Sequence, residues 1–347
     1  MKEKNQEIQL LRAIAIFMVV SYHFFCRQAS LLSFQNTFNF FPLKYCWLGV
    51  HLFFIISRFV ITMTTTNPIK ISTFLLNRIF KIYPPLFLIL PLVCFIQFFL
   101  PYSPYKHLSN FINLMFSVLM IPPNIFNFTL SMNINWVTLV LWSLKVEIFF
   151  YLIFCFLRFK SFNTERNLSL LSYFGLIPSL LVFIHKSPEL LGLKNIFEAL
   201  CLNYLIYFYI GNLLFRNKNS KVKKMYLYVA EIACLCNGYI VYKNWSVIIL
   251  LGILLGICNI LLLNSRQSFY LPLFLKNIAD SSYEMYLFHQ GFGVTLLIFA
   301  SNALELNGFL CFLFSLFLIA FCYFFSFIIF SRVTNPLNKS LRIRFAP

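Results

Sequence analysis

The chain has 347 residues, 60% of them hydrophobic and only 11% charged, with a mean hydropathy of +0.80 and 46 phenylalanines. No soluble domain hides that much apolar surface, so lipid is the solvent for much of it, and the length has room for about ten spans of roughly 20 residues each. A net charge of +18 would suit a nucleic-acid binder, but the Lys and Arg residues gather in short loops between apolar runs, a topological pattern that leaves no soluble basic module, so no nucleic acid is expected as partner.

The first apolar run, 9–26, contains Arg12 and His23. It carries a charge and lacks a small-residue cleavage site after Cys26, so it reads as a retained helix and not a signal peptide. The two residues lie eleven positions apart, which at about 100° per residue sets them on one helix face, about 16 Å apart along the axis. Taken singly, Arg12 also reads as a cation snorkelling to the membrane edge, and His23 as an interfacial imidazole bonded to a carbonyl. The second run, 46–64, opens with Gly49-Val50-His51-Leu52-Phe53-Phe54 and holds Ser57 and Arg58. A mid-span arginine needs an anion, and Glu147 or a bound phosphate is expected to supply it. Cys26 and Cys46 flank the loop between these spans, an arrangement open to a disulfide. The other cysteines form no framework or zinc pattern, and no metal is expected.

Arg78, Lys81 and Tyr83 precede Pro84-Pro85, which is expected to mark the mouth of the third run, 83–100. Two cations one turn apart serve either as topology markers or as a grip for phosphate. Segment 110–121 is short for a span and ends at Pro122-Pro123, so it is expected to be re-entrant or interfacial. The fourth crossing run, 138–157, contains Trp142-Ser143-Leu144-Lys145-Val146-Glu147, followed by Tyr151. A carboxylate at that depth is either neutral or paired, and Lys145 lies on another face. Runs 168–185, 198–215, 226–242 and 246–263 follow. The ninth, 283–301, has Asp280 as an expected N-terminal cap and the pattern Ser282, Tyr283, Tyr286, His289, with Tyr286 and His289 on one face. Polar glue between helices is the alternative reading there. Run 309–330 is the tenth.

Loop charges orient these runs. With the N-terminus and its Lys2 and Lys4 cytoplasmic, and 110–121 not crossing, that side collects the clusters at Lys70–Lys81, Arg158–Arg166, Arg216–Lys224, Arg266–Lys276 and Arg332–Arg344. The outside keeps Arg27, Lys44, Lys106, Lys186, Lys194 and Lys243. The expected fold is thus an all-α polytopic membrane protein of about ten transmembrane helices, both termini cytoplasmic, in one domain over 1–347. The basic loops are expected to meet anionic membrane lipids.

Arg12 with His23, the Gly49–Phe54 stretch with Ser57 and Phe59, Asn77-Arg78-Ile79-Phe80-Lys81-Ile82-Tyr83-Pro84, Trp142-Ser143-Leu144 with Glu147, Phe150 and Tyr151, and Ser282-Tyr283 with Tyr286, Leu287 and His289 together resemble the membrane acyltransferase-3 family, segment by segment and in the family's order. Two positions depart. Arg58 stands where the family pattern has glycine, and Lys81 where it has a second arginine, keeping charge but losing the planar fork.

The resemblance implies a multi-pass protein of the bacterial inner membrane that moves an acyl group, most simply acetyl, from cytoplasmic acetyl-CoA or another acyl-CoA to a hydroxyl of an envelope polysaccharide or lipid-linked glycan such as O-antigen. No tightly bound cofactor is implied. His23 is the expected base and Glu147 the carboxylate that orients it. Arg12, Arg78 and Lys81 are the expected donor-binding cations. Ser57, Arg58, Trp142, Ser143, Tyr151, Ser282, Tyr283, Tyr286 and His289 are candidates for the channel, the acceptor or an oxyanion. A transporter, flippase or polymerase of a lipid-linked glycan is the alternative. Transporter folds carry internal repeats, and none is evident here.

Overall fold

A computed structural model describes residues 5–32, 41–66, 70–123, 126–127, 132–159, 164–185, 187–219, 222–263 and 270–345. Lys2, Lys4, Lys160, Lys186, Lys221 and Arg266, which entered the loop-charge argument, lie outside these residues.

All regular structure among the described residues is helical. Helix α1 spans Gln6–Tyr22 and runs into a π-helical turn, His23–Arg27. Its start is capped by Asn5, whose side-chain oxygen accepts from the amides of Glu7 and Ile8 at 3.1 and 3.3 Å. A 3₁₀ stretch, Phe41–Leu48, leads into α2, Gly49–Thr64. Cys26 and Cys46 both keep free thiols, so the disulfide considered above does not form.

Helix α3, Ile71–Phe99, corrects an expectation. It begins about three turns earlier than the apolar run, and Pro84, Pro85 and Pro91 all sit inside it. Proline removes one backbone hydrogen bond without ending a helix when neighbouring groups re-satisfy the freed carbonyls, which is common in membrane spans. Arg78 and Lys81 therefore lie within a continuous helix and not before its mouth. Helix α4, Phe111–Val118, is capped by Asn110 and has only eight residues, about 12 Å and too short to cross.

The remaining helices are α5 (Leu141–Phe159), α6 (Thr164–Phe174), α7 (Ile177–Ile184), α8 (Pro188–Ala199), α9 (Leu205–Lys218), α10 (Lys224–Tyr242), α11 (Trp245–Leu263), α12 (Leu273–Asp280), α13 (Ser282–Phe288), α14 (Thr295–Ala303), α15 (Gly308–Ile329) and α16 (Asn335–Phe345). A π-helical turn, His289–Val294, joins α13 to α14, and another, Phe330–Thr334, joins α15 to α16. Asp280 ends α12 and does not cap the next helix; Ser281 occupies that position, with no side-chain cap bond. The apolar run is shorter than the helical one, which is why its edge mislocated the cap.

Seven described helices are long and apolar enough to cross a bilayer, and eight if the pair Glu189–Ala199 and Leu202–Lys218, bent by 69°, is one broken span. The bend falls at Cys201, whose φ of 56° is left-handed. The other two of the ten expected crossings do form helices, α5 and the run Ser282–Ala303. α5 carries Lys145, Glu147 and Arg158, and the second run carries Glu284, His289 and Gln290.

By its internal contacts the chain divides into two compact units, each assembled from separate stretches. The first takes residues 1–15, 50–71 and 146–271. Here α9 is central: Ile206, Phe208, Ile210, Leu213 and Leu214 are buried, and α9 packs against α6, α10 and α11. Phe208 stacks on Phe150 of α5 at 4.1 Å and on Phe54 of α2 at 5.0 Å. Gly211 lets α9 touch the α2 backbone, because any Cβ there would lie 2.1 Å from the Ile55 carbonyl oxygen.

The second unit takes residues 16–49, 72–145 and 272–347. Its close approach is in the His289–Val294 turn. A Cβ on Gly291 would strike Val93 of α3 at 2.3 Å, and one on Gly293 would strike Phe24 at 2.7 Å and Cys322 of α15 at 2.8 Å. These two glycines press the turn against α3, α15 and the His23 turn together.

Candidate functional site

The sequence-predicted residues fall into a cluster within each unit. In the second unit, the rings of His23 and His289 meet edge to face, with centroids 5.0 Å apart. Each histidine opens a π-turn. Such turns widen a helix by one residue and concentrate at functional sites. Phe24, next to His23, packs against Gly293, which holds the two turns in register.

The protonation pattern of His289 follows from its neighbours. Its Nδ1 faces the carbonyl oxygens of Met285 and Tyr286 at 3.1 and 2.9 Å. Carbonyls only accept, so Nδ1 carries the proton and Nε2 keeps the lone pair. That Nε2 is buried and has no hydrogen-bond partner among the described residues, and neither has His23 Nδ1. His289 is wholly buried, whereas His23 is partly accessible. A fixed lone pair beside a second, partly exposed imidazole is the kind of arrangement that acid–base chemistry requires.

Around the pair, hydroxyls and amides fasten the 138–143 segment to the 286–290 turn. Tyr286 Oη and Ser143 Oγ are 2.6 Å apart, and the two approach the Val140 carbonyl at 3.0 and 3.1 Å. The Tyr286 ring lies 5.8 Å from the His289 ring, as the three-residue spacing predicts. Tyr283 points elsewhere, donating to the Ile82 carbonyl of α3 at 3.1 Å. Ser282 donates to the Ala279 carbonyl. Both tyrosines thus have acceptors within the protein, consistent with the polar-glue reading. Trp142 is exposed.

Sequence reasoning missed Gln290. It is fully buried; its Oε1 accepts from Thr138 Oγ1 at 3.0 Å and from the Val140 amide at 3.2 Å, and its Nε2 donates to Tyr105 Oη at 3.1 Å. Since the Val140 N–H can only donate, the amide orientation is settled. Gln28, from the loop after the His23 turn, donates to the same Tyr105 oxygen at 2.8 Å. Also missed was Glu284, buried and accepting from Thr334 of the third π-turn at 2.6 Å. The available signal for both was a polar residue adjoining the singled-out tyrosines and histidine within an apolar helix.

Of the donor-binding candidates, Arg78 and Lys81 lie one turn apart on α3 in this unit, both partly buried, with the Arg78 guanidinium 5.1 Å from the Phe74 ring centre. Arg12 is partly buried on α1 in the first unit.

The first unit holds the carboxylate cluster. Ser57 donates to Glu147 Oε1 at 2.8 Å, Tyr151 donates to the same oxygen, and the two hydroxyls are 3.4 Å apart. The i, i+4 spacing of Glu147 and Tyr151 makes this local to α5. Arg58 does not pair with Glu147. Its Nη2 meets Glu165 Oε1 at 3.1 Å and Asn212 Oδ1 at 3.5 Å, and its guanidinium lies over Phe154 at 4.7 Å. The reason is that two hydroxyls already serve Glu147, while the first turn of α6 brings an acidic residue to the arginine, a placement the helix dipole favours. Glu165 also takes Arg216 at 3.3 Å and Asn212 through Oε2. Among the described residues no group of His, Cys, Asp and Glu is arranged to hold a metal ion.

Comparison with known proteins gives one finding. A family model described as an acyltransferase domain matches residues 5–334, a stretch that includes every residue of both clusters. No curated protein and no solved structure matches the chain.

Proposed function

The chain belongs to the acyltransferase-3 family, and from that premise we propose that it transfers an acetyl group from acetyl-CoA to a hydroxyl of an envelope polysaccharide or lipid-linked glycan. The observation that carries the reading is the His23–His289 pair, one imidazole fixed in its tautomer and the other partly exposed.

His23 takes the proton of the acceptor hydroxyl as the oxygen attacks the thioester carbonyl. The C–O bond forms, the C–S bond breaks, and the proton ends on the CoA sulfur, leaving an ester and a free thiol. His289, with Nδ1–H held by two carbonyls, keeps its Nε2 as a neutral acceptor beside the imidazole that becomes charged. Arg78 and Lys81 serve the phosphates of CoA, and Arg12 enters as a donor cation on the family motif alone. Glu147, which carries a pair of hydroxyls in the first unit, enters this reading as a carboxylate on the family motif alone. The membrane is that of a bacterial envelope, with donor inside and acceptor outside.

The test uses purified full-length protein in lipid. Acceptor glycan, acetyl-CoA and protein together should release free CoA and leave acetyl on the glycan. The absence of both, with the glycan acetyl content of cells unchanged by deletion of the gene, would overturn the reading. A glycan transporter or polymerase would leave acetyl-CoA intact.

A further inference from the structure

Each of the two imidazole-bearing turns of the second unit also supplies a glutamine. Gln28 directly follows the His23–Arg27 turn, and Gln290 is next to His289. Tyr105, from the stretch between α3 and α4, joins them. Its oxygen accepts from Gln290 Nε2 at 3.1 Å and from Gln28 Nε2 at 2.8 Å. The two turns are thus tied twice, once ring to ring and once through this phenol.

The tie is closed at one end and open at the other. The Gln290 side-chain oxygen is filled by Thr138 and the Val140 amide. Tyr105 is 3% exposed, and its carbonyl is held by the Leu108 amide at 2.9 Å. With two N–H donors on its oxygen, the phenol proton points at neither amide nitrogen, and it has no other acceptor among the described residues. Gln28 is partly exposed, and its side chain makes no other bond among the described residues. That leaves one amide hydrogen and both lone pairs of its Oε1. Turning the Gln28 amide over would bring the phenol proton onto Oε1 and leave two amide hydrogens and one lone pair, so donor and acceptor stay together in both orientations.

A partly exposed amide of this kind, backed by a buried phenol, suits a ligand that both donates and accepts at neighbouring atoms. Vicinal sugar hydroxyls do so; an apolar chain would leave these groups unpaired. We propose that Gln28 binds the acceptor, its amide spanning two neighbouring hydroxyls of a sugar, and that Tyr105 is the positioning residue that holds the amide there. The choice of a sugar rests on the acyl-transfer reading. Arg27 and Lys106, the sequence neighbours of Gln28 and Tyr105, are among the cations expected outside, the side on which that reading puts the acceptor.

The probe is envelope polysaccharide prepared from cells lacking the gene. Its binding to purified full-length protein in mild detergent is followed by calorimetry, which needs no turnover. Gln28→Ala should weaken binding about tenfold, and in turnover the loss should fall on the KM for polysaccharide and not on that for acetyl-CoA. Tyr105→Phe should weaken binding about fivefold, and Gln28→Ala should add little to it. Gln28→Glu can accept the phenol proton and still offer oxygens to a sugar, so it should bind within about threefold of the unaltered protein, but not when combined with Tyr105→Phe. A tie that is structural alone would lower the unfolding midpoint and leave binding unchanged. Unchanged binding by Gln28→Ala would overturn the proposal, as would full additivity of Gln28→Ala and Tyr105→Phe, equal rises in both KM values, or no binding by the unaltered protein. Gln28-dependent binding without any acetyl transfer would overturn the acyl-transfer reading and leave this one standing. If Tyr105→Phe shows no cooperative unfolding, Gln28→Ala decides alone, because its side chain is partly exposed.

Discussion

An imidazole whose Nδ1 faces two carbonyl oxygens has no freedom of tautomer, and this sets His289 apart from His23. His289 offers a lone pair that cannot turn away; His23 is partly exposed, with no hydrogen-bond partner for its Nδ1 among the described residues. Removal of His23 should therefore lower acyl transfer by about 10²–10⁴-fold, the usual worth of a general base, while the protein stays inserted and able to bind donor. His23→Gln should not rescue, since an amide bonds but cannot take the proton. The measurement is transfer to glycan by purified His23→Ala and His289→Ala at matched concentration. Substantial turnover by His23→Ala with none by His289→Ala would move the base to His289. Arg58 gives a second prediction at this scale. Its carboxylate partner is partly exposed and keeps Arg216, so loss of Arg58 strands no buried charge; loss of Glu165 does strand one. Glu165→Ala should destabilise by about 3–5 kcal/mol, and Arg58→Met added to it should restore most of the loss. Thermal unfolding of the single and double variants checks this, and equal midpoints would show that the pair is not coupled.

At the scale of the helix, α3 joins Arg78 and Lys81, the proposed donor cations, to the imidazole turn. Arg78 and Lys81 lie two and one turns before the prolines, and Val93 and Gln97 further along meet Gly291, the latter by a bond to its carbonyl at 3.4 Å. Arg78→Gln with Lys81→Gln should raise the KM for acetyl-CoA with little change in the KM for glycan and normal protein levels. Unchanged donor dependence at full activity would remove both residues from the donor site. Lys81→Arg should preserve activity, because it supplies a planar fork where a point charge now stands. The extent of α3 itself was not legible in the sequence. Prolines read as boundaries because they break helices in water, but within a packed apolar span the helix runs through all three. The π-turns were equally illegible, since one extra residue per turn leaves no mark on an apolar pattern. What composition and motif order did convey was the helical, membrane-embedded class and the residues of the imidazole pair. They could not convey Glu165 or Gln290, whose partners are remote in sequence.

For the whole molecule, the question is how many times the chain crosses. Length and composition pass seven or eight described helices, whereas loop charge asks for ten with both termini cytoplasmic. The difference rests on α5 and on Ser282–Ala303, and the polar groups that disqualify them are in large part satisfied. Glu147 has two hydroxyl donors, Gln290 has three partners, and His289 Nδ1 has two carbonyls. Arg158 stands at the end of its helix, where a long side chain reaches the interface. A span whose polar groups are bonded within the protein costs far less to bury than its composition implies, so both helices are expected to cross. Reporter fusions after Lys106 and Lys160 should then read outside and inside, and fusions after Lys276 and Glu305 inside and outside. The paired design isolates each disputed helix, because α4, which also lies between the first two reporters, is too short to cross. Matching sides across either pair would remove that helix from the count. An outside reading after Lys224 would go further, because it would place the richest basic cluster against the positive-inside bias and invert the proposed donor side with it.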